Sequence, residues 1–186
     1  MDAKKAAAAI IFAALTIVLN FSPLKVPAPY APFLIYQIWE IPIVTAFLLY
    51  GVEVGVLISI INTLVLIAVF PGALPTGPLY NLAATLGMLL GIGIVKALVE
   101  GHSPKREAFV AALLTISGAI VRTLLMTLIN WALLRFPPPV GFSFPEEAII
   151  ATIPFVAVFN ITLALYTIPL GYSLAKALKL YVKAFK

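Results

Sequence analysis

The sequence predicts an all-α integral membrane protein, a bundle of six transmembrane helices with both termini on the cytoplasmic side. Of its 186 residues, 63% are apolar and only 10% are charged, whereas a soluble domain carries about 25% charged residues. The mean hydropathy is +1.13, so much of the folded surface has to face lipid. The apolar residues also fall into six runs, each near the roughly 20 residues that a spanning helix needs. Six spans and their connections use the whole chain as one membrane domain, 1–186, and leave no room for a soluble catalytic domain.

The first helix is expected over about residues 4–20. Lys4 and Lys5 before the apolar run Ala6 to Leu19 also fit a signal peptide. No small-x-small cleavage site follows promptly, and removal would leave an odd number of spans, so the segment is kept as a helix. The stretch Phe21 to Phe33 holds Pro23, Pro27, Pro29 and Pro32, which forbid a regular helix and favour an extended, stiff loop. Helix 2 is expected over 34–50, with a tight turn through Gly51 into helix 3 over 54–70. Pro71, Gly72, Pro75, Gly77 and Pro78 mark the next loop. Helix 4 is expected over 79–99, helix 5 over 108–134 after the polar segment Glu100 to Glu107, and helix 6 over 148–174. The loop before helix 6 carries Pro137, Pro138, Pro139 and Gly141, and a basic tail follows that helix.

Charge sets the expected orientation. With the N-terminus inside, the cytoplasmic segments hold nine basic residues: Lys4, Lys5, Lys96, Lys105, Arg106, Lys176, Lys179, Lys183 and Lys186. The external segments hold only Lys25 and Arg135, a strong positive-inside bias. All three proline-rich loops then lie outside, where lids and binding loops are placed by irregular backbone. The net charge of +5 is explained by these helix ends and does not indicate nucleic acid.

Ionisable and amide side chains in a bilayer are costly and need a partner, a cavity or a ligand. The candidates are Glu40, Asn62, Asn81, Arg122, Asn130 and Asn160. By helical rise, Glu40 lies about 10 Å below the outer end of helix 2 and Asn81 within about one turn of the outer end of helix 4. Asn130 lies about 6 Å down, and Arg122 and Asn160 about 17 Å down, near mid-membrane. All except Asn62 can converge beneath the proline-rich loops, as a pocket open to the outside. Each also has a packing explanation. An asparagine can bond a neighbouring helix, Glu40 can cap a helix that starts at Pro42, and Arg122 can reach Glu40 as its ion partner. Tyr30, Tyr36, Trp39 and Tyr80 fall near the outer interface, where they form an aromatic belt or stack on a planar ligand.

On helix 1, Ala6, Ala9 and Ala13 form one stripe, with Ala7 and Ala14 beside it. Such spacing lets helices approach closely, either inside the bundle or against a partner. Gly87 and Gly91 repeat the device on helix 4.

What is missing narrows the function. The chain has no cysteine and one histidine, His102, which excludes disulfides, thiol catalysis and a clustered transition-metal site. No G-x-x-x-x-G-K-[ST] phosphate loop is present. Glu146-Glu147 lacks the following arginine and the histidine pair of an intramembrane protease. No enzyme is expected. With no obvious inverted repeat, the chain is also too small for a complete alternating-access transporter without partners.

With these features the chain resembles an S component, the substrate-capturing subunit of an energy-coupling factor vitamin transporter. The resemblance covers nearly the whole chain: six helices, a proline-rich first loop and an Ala-rich first helix. Ala9-Ile10-Ile11-Phe12-Ala13 matches the family's A-x-x-x-A pattern. The resemblance therefore implies that Ala6, Ala9 and Ala13 dock on a transmembrane coupling subunit that works with two ATPase subunits. Within the family it is most similar to the riboflavin-specific branch. Glu40-Ile41-Pro42 followed by Gly51 and Gly55, Pro78-Leu79-Tyr80-Asn81-Leu82-Ala83, and Phe159-Asn160 resemble segments of that branch. The branch's Phe-Asn-x-x-Lys motif departs here to Leu163, and Arg122 supplies a cation at similar depth instead. The resemblance implies capture of a small vitamin, riboflavin above all, with no other cofactor. Glu40, Tyr36, Trp39, Tyr80, Asn81, Arg122, Asn130 and Asn160 would line its site, and Ser22 to Phe33 would form a lid. Another vitamin, a precursor or a nucleoside-like cargo keeps the same family, and a ligand-free assembly protein is the alternative of another class.

Overall fold

Asp2 starts the first helix, its carboxylate accepting the Lys5 backbone N–H at 2.8 Å, the geometry of a preferred N-cap. Helix α1 then runs Ala3–Phe21 and ends at Ser22, whose N–H and hydroxyl both bond the Leu19 carbonyl. The computed structural model describes residues 1–69, 74–99 and 107–184. Phe70, Pro71, Gly72, the polar segment 100–106 with His102, Lys105 and Arg106, Lys186, and the side chain of Lys183 lie outside the described residues.

The proline-rich stretch is extended, as its prolines require. It is also paired, as a short antiparallel hairpin of β1 (Val26–Ala28) and β2 (Ala31–Tyr36). Val26 faces Tyr36 and Pro27 faces Ile35, with an irregularity between Pro27 and Ala28. A two-stranded ribbon has only edge strands, which is where prolines without an N–H are tolerated.

This pairing corrects the expected second helix. Residues 34–36 belong to β2, and α2 covers only Glu40–Tyr50. Eleven residues rise about 16 Å, half a bilayer core. The short helix is buried nearly all round, with Pro42 and every residue from Ile43 to Leu48 inaccessible, so it meets protein where the others meet lipid. Gly51, at φ 95°, turns the chain directly into α3 (Val52–Val69), a conformation that glycine adopts without strain. Among the described residues the fold is all-helical apart from the hairpin.

Three further helices complete it: α4 (Gly77–Val99), α5 (Glu107–Leu133) and α6 (Glu146–Ala184). Five helices, all but α2, are long and apolar enough to cross a membrane, which makes this a multi-pass membrane protein. α6 tolerates Pro154 and Pro169 inside its length. One turn of it, at Gly171, passes so close to α2 that a Cβ there would lie 2.7 Å from a Val44 methyl.

The core joins α2 to its neighbours through Ile43, Val44, Phe47, Ile58, Met88, Ile92, Ala164 and Ile168. Ala9 and Ala13 belong to this same core, at 2% and 4% exposure, and Ala6 is half-buried. Ala9 and Ala13 are therefore spent inside the bundle, and Ala6 alone of the three keeps part of its surface open. The lipid-facing side of α1 carries Ala3, Ala7, Ile10, Ile11, Ala14 and Val18 instead. Asn62 also has a structural partner, since Asn20 Nδ2 donates to Asn62 Oδ1 at 2.6 Å in a buried bond between α1 and α3.

Candidate functional site

A cavity of about 450 Å³ opens beneath the hairpin and reaches the middle of the bundle, large enough for a small heterocyclic ligand. Its walls come from β2, the N-terminal turns of α4, the second half of α5 and the middle of α6. Apolar surface predominates, with Phe33 and Phe142 on the loop side and Met126 and Phe159 deeper.

The polar groups in it divide by what they are bonded to. Arg122 is 2% exposed, yet borders the cavity. Its Nη1 and Nη2 donate to the two Glu40 oxygens at 2.6 and 3.1 Å, a bidentate pair. Its Nε donates to Asn160 Oδ1 at 2.9 Å, and Nη1 also approaches Met88 Sδ at 3.8 Å. Of the five guanidinium N–H groups, four are thus engaged. Glu40 sits behind the arginine, 2% exposed, with Thr85 Oγ1 3.5 Å from its Oε1. α2 begins at this residue, and the three-residue joint from β2 positions it there. Asn160 spends its other half on the Val156 carbonyl, and Asn130 Nδ2 donates to Met126 at 2.8 Å.

Two carboxamides on the wall are uncommitted. Among the described residues the side chain of Asn81 has no hydrogen-bond partner, although its carbonyl accepts from Thr85. Gln37 lies between β2 and α2, where its backbone carbonyl accepts from Tyr166 at 2.6 Å. Its side-chain oxygen is buried without any partner. A buried acceptor left unmade costs about 1–3 kcal/mol, so a small turn of this carboxamide toward the cavity that Gln37 borders would relieve it.

The eight expected site residues separate accordingly. Tyr80, Asn81, Arg122, Asn130 and Asn160 line this cavity together, and Glu40 reaches it only through Arg122. Tyr36 does not line it: its hydroxyl bonds Tyr30 at 2.5 Å and Thr162 at 2.6 Å, and its ring packs 4.8 Å from Phe159. That cluster fastens the hairpin to α6. Burial, and then the bond to Tyr36, pushes Tyr30 up to about 12, so this phenol stays neutral at physiological pH. Trp39 is in the core, 4% exposed. Tyr80 borders the cavity but donates its hydroxyl to Val140 at 2.8 Å, beside a Thr76 bond to Pro139, tying α4 to the loop before α6. Gln37 and Asn20 lie on the wall as well, beyond the eight expected residues. In the sequence Gln37 falls near the outer end of the expected helix 2 with nothing to mark its direction, and Asn20 is the last residue of the expected helix 1.

No protein-family model and no curated protein matches the chain. Among solved structures, the fold is similar to one described as the structure and mechanism of the S component of a bacterial ECF transporter. The TM-score is 0.72 at 24% identity, over 95% of this chain and 98% of that one. At this identity the likeness carries the fold, end to end.

Proposed function

We propose that this chain is the substrate-binding membrane subunit of an energy-coupling factor transporter, capturing a small vitamin, with riboflavin the foremost cargo. The carrying observation is the cavity itself, a recess of about 450 Å³ with aromatic walls and convergent carboxamides. It lies in a fold shared along almost its whole length with an S component. The positive-inside bias of the sequence supports termini on the cytoplasmic side and a cavity that opens outward. The hairpin between α1 and α2 would then cover the entrance as a lid.

Capture is reversible binding in this reading, and transport needs partners: a transmembrane coupling subunit and two ATPase subunits. With Ala9 and Ala13 inside the bundle, the face of α1 left to meet the coupling subunit is Ala3, Ala7 and Ala14, flanked by Ile10 and Ile11. Small residues on a lipid-facing stripe allow close helix approach. Ala7→Trp or Ala14→Trp should abolish co-purification with a coupling module and leave ligand binding intact. Full assembly by both variants would remove α1 from the interface.

Riboflavin binding is tested directly by quenching of flavin fluorescence on titration with purified protein. Asn81→Ala and Asn130→Ala should each weaken it about three- to tenfold, the loss of one net hydrogen bond, without lowering the thermal midpoint. A protein that quenches no flavin and carries none on purification is not a riboflavin-binding subunit.

A further inference from the structure

We propose that Glu40 is a charge filter: by neutralising Arg122 it restricts the cavity to an uncharged ligand, whose amide-like edge is read by Gln37 and Asn81. The inference rests on the substrate-binding reading above and specifies the class of cargo.

A lone arginine at the bottom of an apolar recess would favour a carboxylate or a phosphate, because guanidinium forks onto either. Here that fork is occupied. Both Glu40 oxygens take it, at 2.6 and 3.1 Å, inside the protein where the pair is 3% exposed on either side. A ligand anion could take the Arg122 fork only by displacing Glu40, which would leave a buried carboxylate uncompensated at a cost of several kcal/mol, and the one N–H left over makes a single bond to a guanidinium whose charge Glu40 already balances. A ligand cation would meet the same arginine, with no spare carboxylate among the described residues that line the cavity. The other charged lining residue, Lys25, is exposed at the rim, where water screens it. The deep cavity therefore discriminates by hydrogen bonding alone.

The uncommitted groups define the complementary edge. Each carboxamide presents a donor beside an acceptor, and the matching partner is another amide-like edge, a ring N–H next to a ring carbonyl. Gln37 borders the cavity with a carboxamide whose oxygen has no partner among the described residues, Asn81 offers both halves of its amide, and Arg122 has one N–H left. Cyclic lactams and imides satisfy this set without charge.

Thermal-shift and fluorescence titrations with two matched pairs test it: riboflavin against its 5′-phosphate, and uracil against orotate. Wild-type protein should bind at least one uncharged member, and bind it about tenfold or more tightly than its anionic counterpart. Glu40→Gln frees the cation and should erase or reverse that preference, and the double variant Glu40→Gln/Arg122→Gln should restore it. Gln37→Leu should weaken the uncharged ligand about tenfold. If Glu40→Gln does not accumulate folded, the double variant and the wild-type pairs decide. Wild-type protein that binds orotate or the phosphate as tightly as its uncharged twin overturns the filter, while the binding subunit stands. So does a Glu40→Gln protein with unchanged selectivity. Binding of none of the four overturns the riboflavin reading and the filter together.

Discussion

Replacing Arg122 by leucine should destabilise the protein by about 3–5 kcal/mol, the usual result of breaking a buried ion pair from one side. The reason is the group left behind. Without the guanidinium, the Glu40 carboxylate keeps only the Thr85 hydroxyl 3.5 Å away, in a site 2% exposed. It must either stay charged in an apolar interior or take up a proton. Asn160 loses its 2.9 Å donor as well. Glu40→Leu should cost a comparable amount, since it strands the cation. Arg122→Leu/Glu40→Leu should recover much of the loss, because well-packed apolar residues often replace a buried pair at little net cost. The thermal midpoints of the four proteins in detergent form a double-mutant cycle. Additive losses would mean that the two residues do not depend on each other. The recovered double variant should still fail to hold ligand normally, which separates what the pair does for stability from what it does for the cavity.

The second large effect is expected at Gly91, where α4 and α5 touch through their backbones. A Cβ on Gly91 would lie 2.5 Å from the Ser117 carbonyl oxygen and 2.8 Å from Gly118 Cα, and neither atom can rotate away. The Ser117 hydroxyl bonds the Gly91 carbonyl at 2.9 Å across the same contact. Gly91→Val must push the helices apart, at a cost of about 1–3 kcal/mol or more. The same displacement moves Asn81 on α4 away from Arg122 and Asn130 on α5, so ligand affinity should fall with stability. Gly87→Ala is the control on the same helix. Its Cβ would meet the tip of the Leu125 side chain at 2.9 Å, which can swing aside, so the thermal midpoint should hardly move. Equal losses at the two glycines would refute the backbone contact as the cause.

Much of this architecture is legible in the sequence because lipid is an unforgiving solvent. The apolar runs at α1, α3, α4, α5 and α6 are long enough to fix their type, and the prolines of 23–32 exclude a helix there. Residues 33–36 defeat the same logic. Phe33-Leu34-Ile35-Tyr36 is an apolar run bounded by proline and glutamine, which periodicity alone cannot assign to strand or helix. The expected helix 2 therefore takes in half of β2. Polar residues in lipid were equally legible as a set, and Tyr80, Asn81, Arg122, Asn130 and Asn160 do share a cavity. Direction was not legible. Tyr36 ends β2 and Trp39 lies in the joint before α2, where no helical period sets which way a side chain turns, and alanines at helical spacing fit an inner face as well as an outer one. The unbonded amide of Gln37 is a property of packing and has no mark in the sequence.

The shortness of α2 has a consequence for how the protein is made. Eleven residues are about half of what the insertion machinery accepts as a span, and the first of them is a carboxylate, which membranes reject when it is alone. Its counter-charge is synthesised 82 residues later. The nascent helix thus has no stable place in the bilayer until α5 has arrived with Arg122 to receive it. Biogenesis would then run out of sequence order, the second helix settling after the fifth, with the ion pair acting as the latch that closes the bundle.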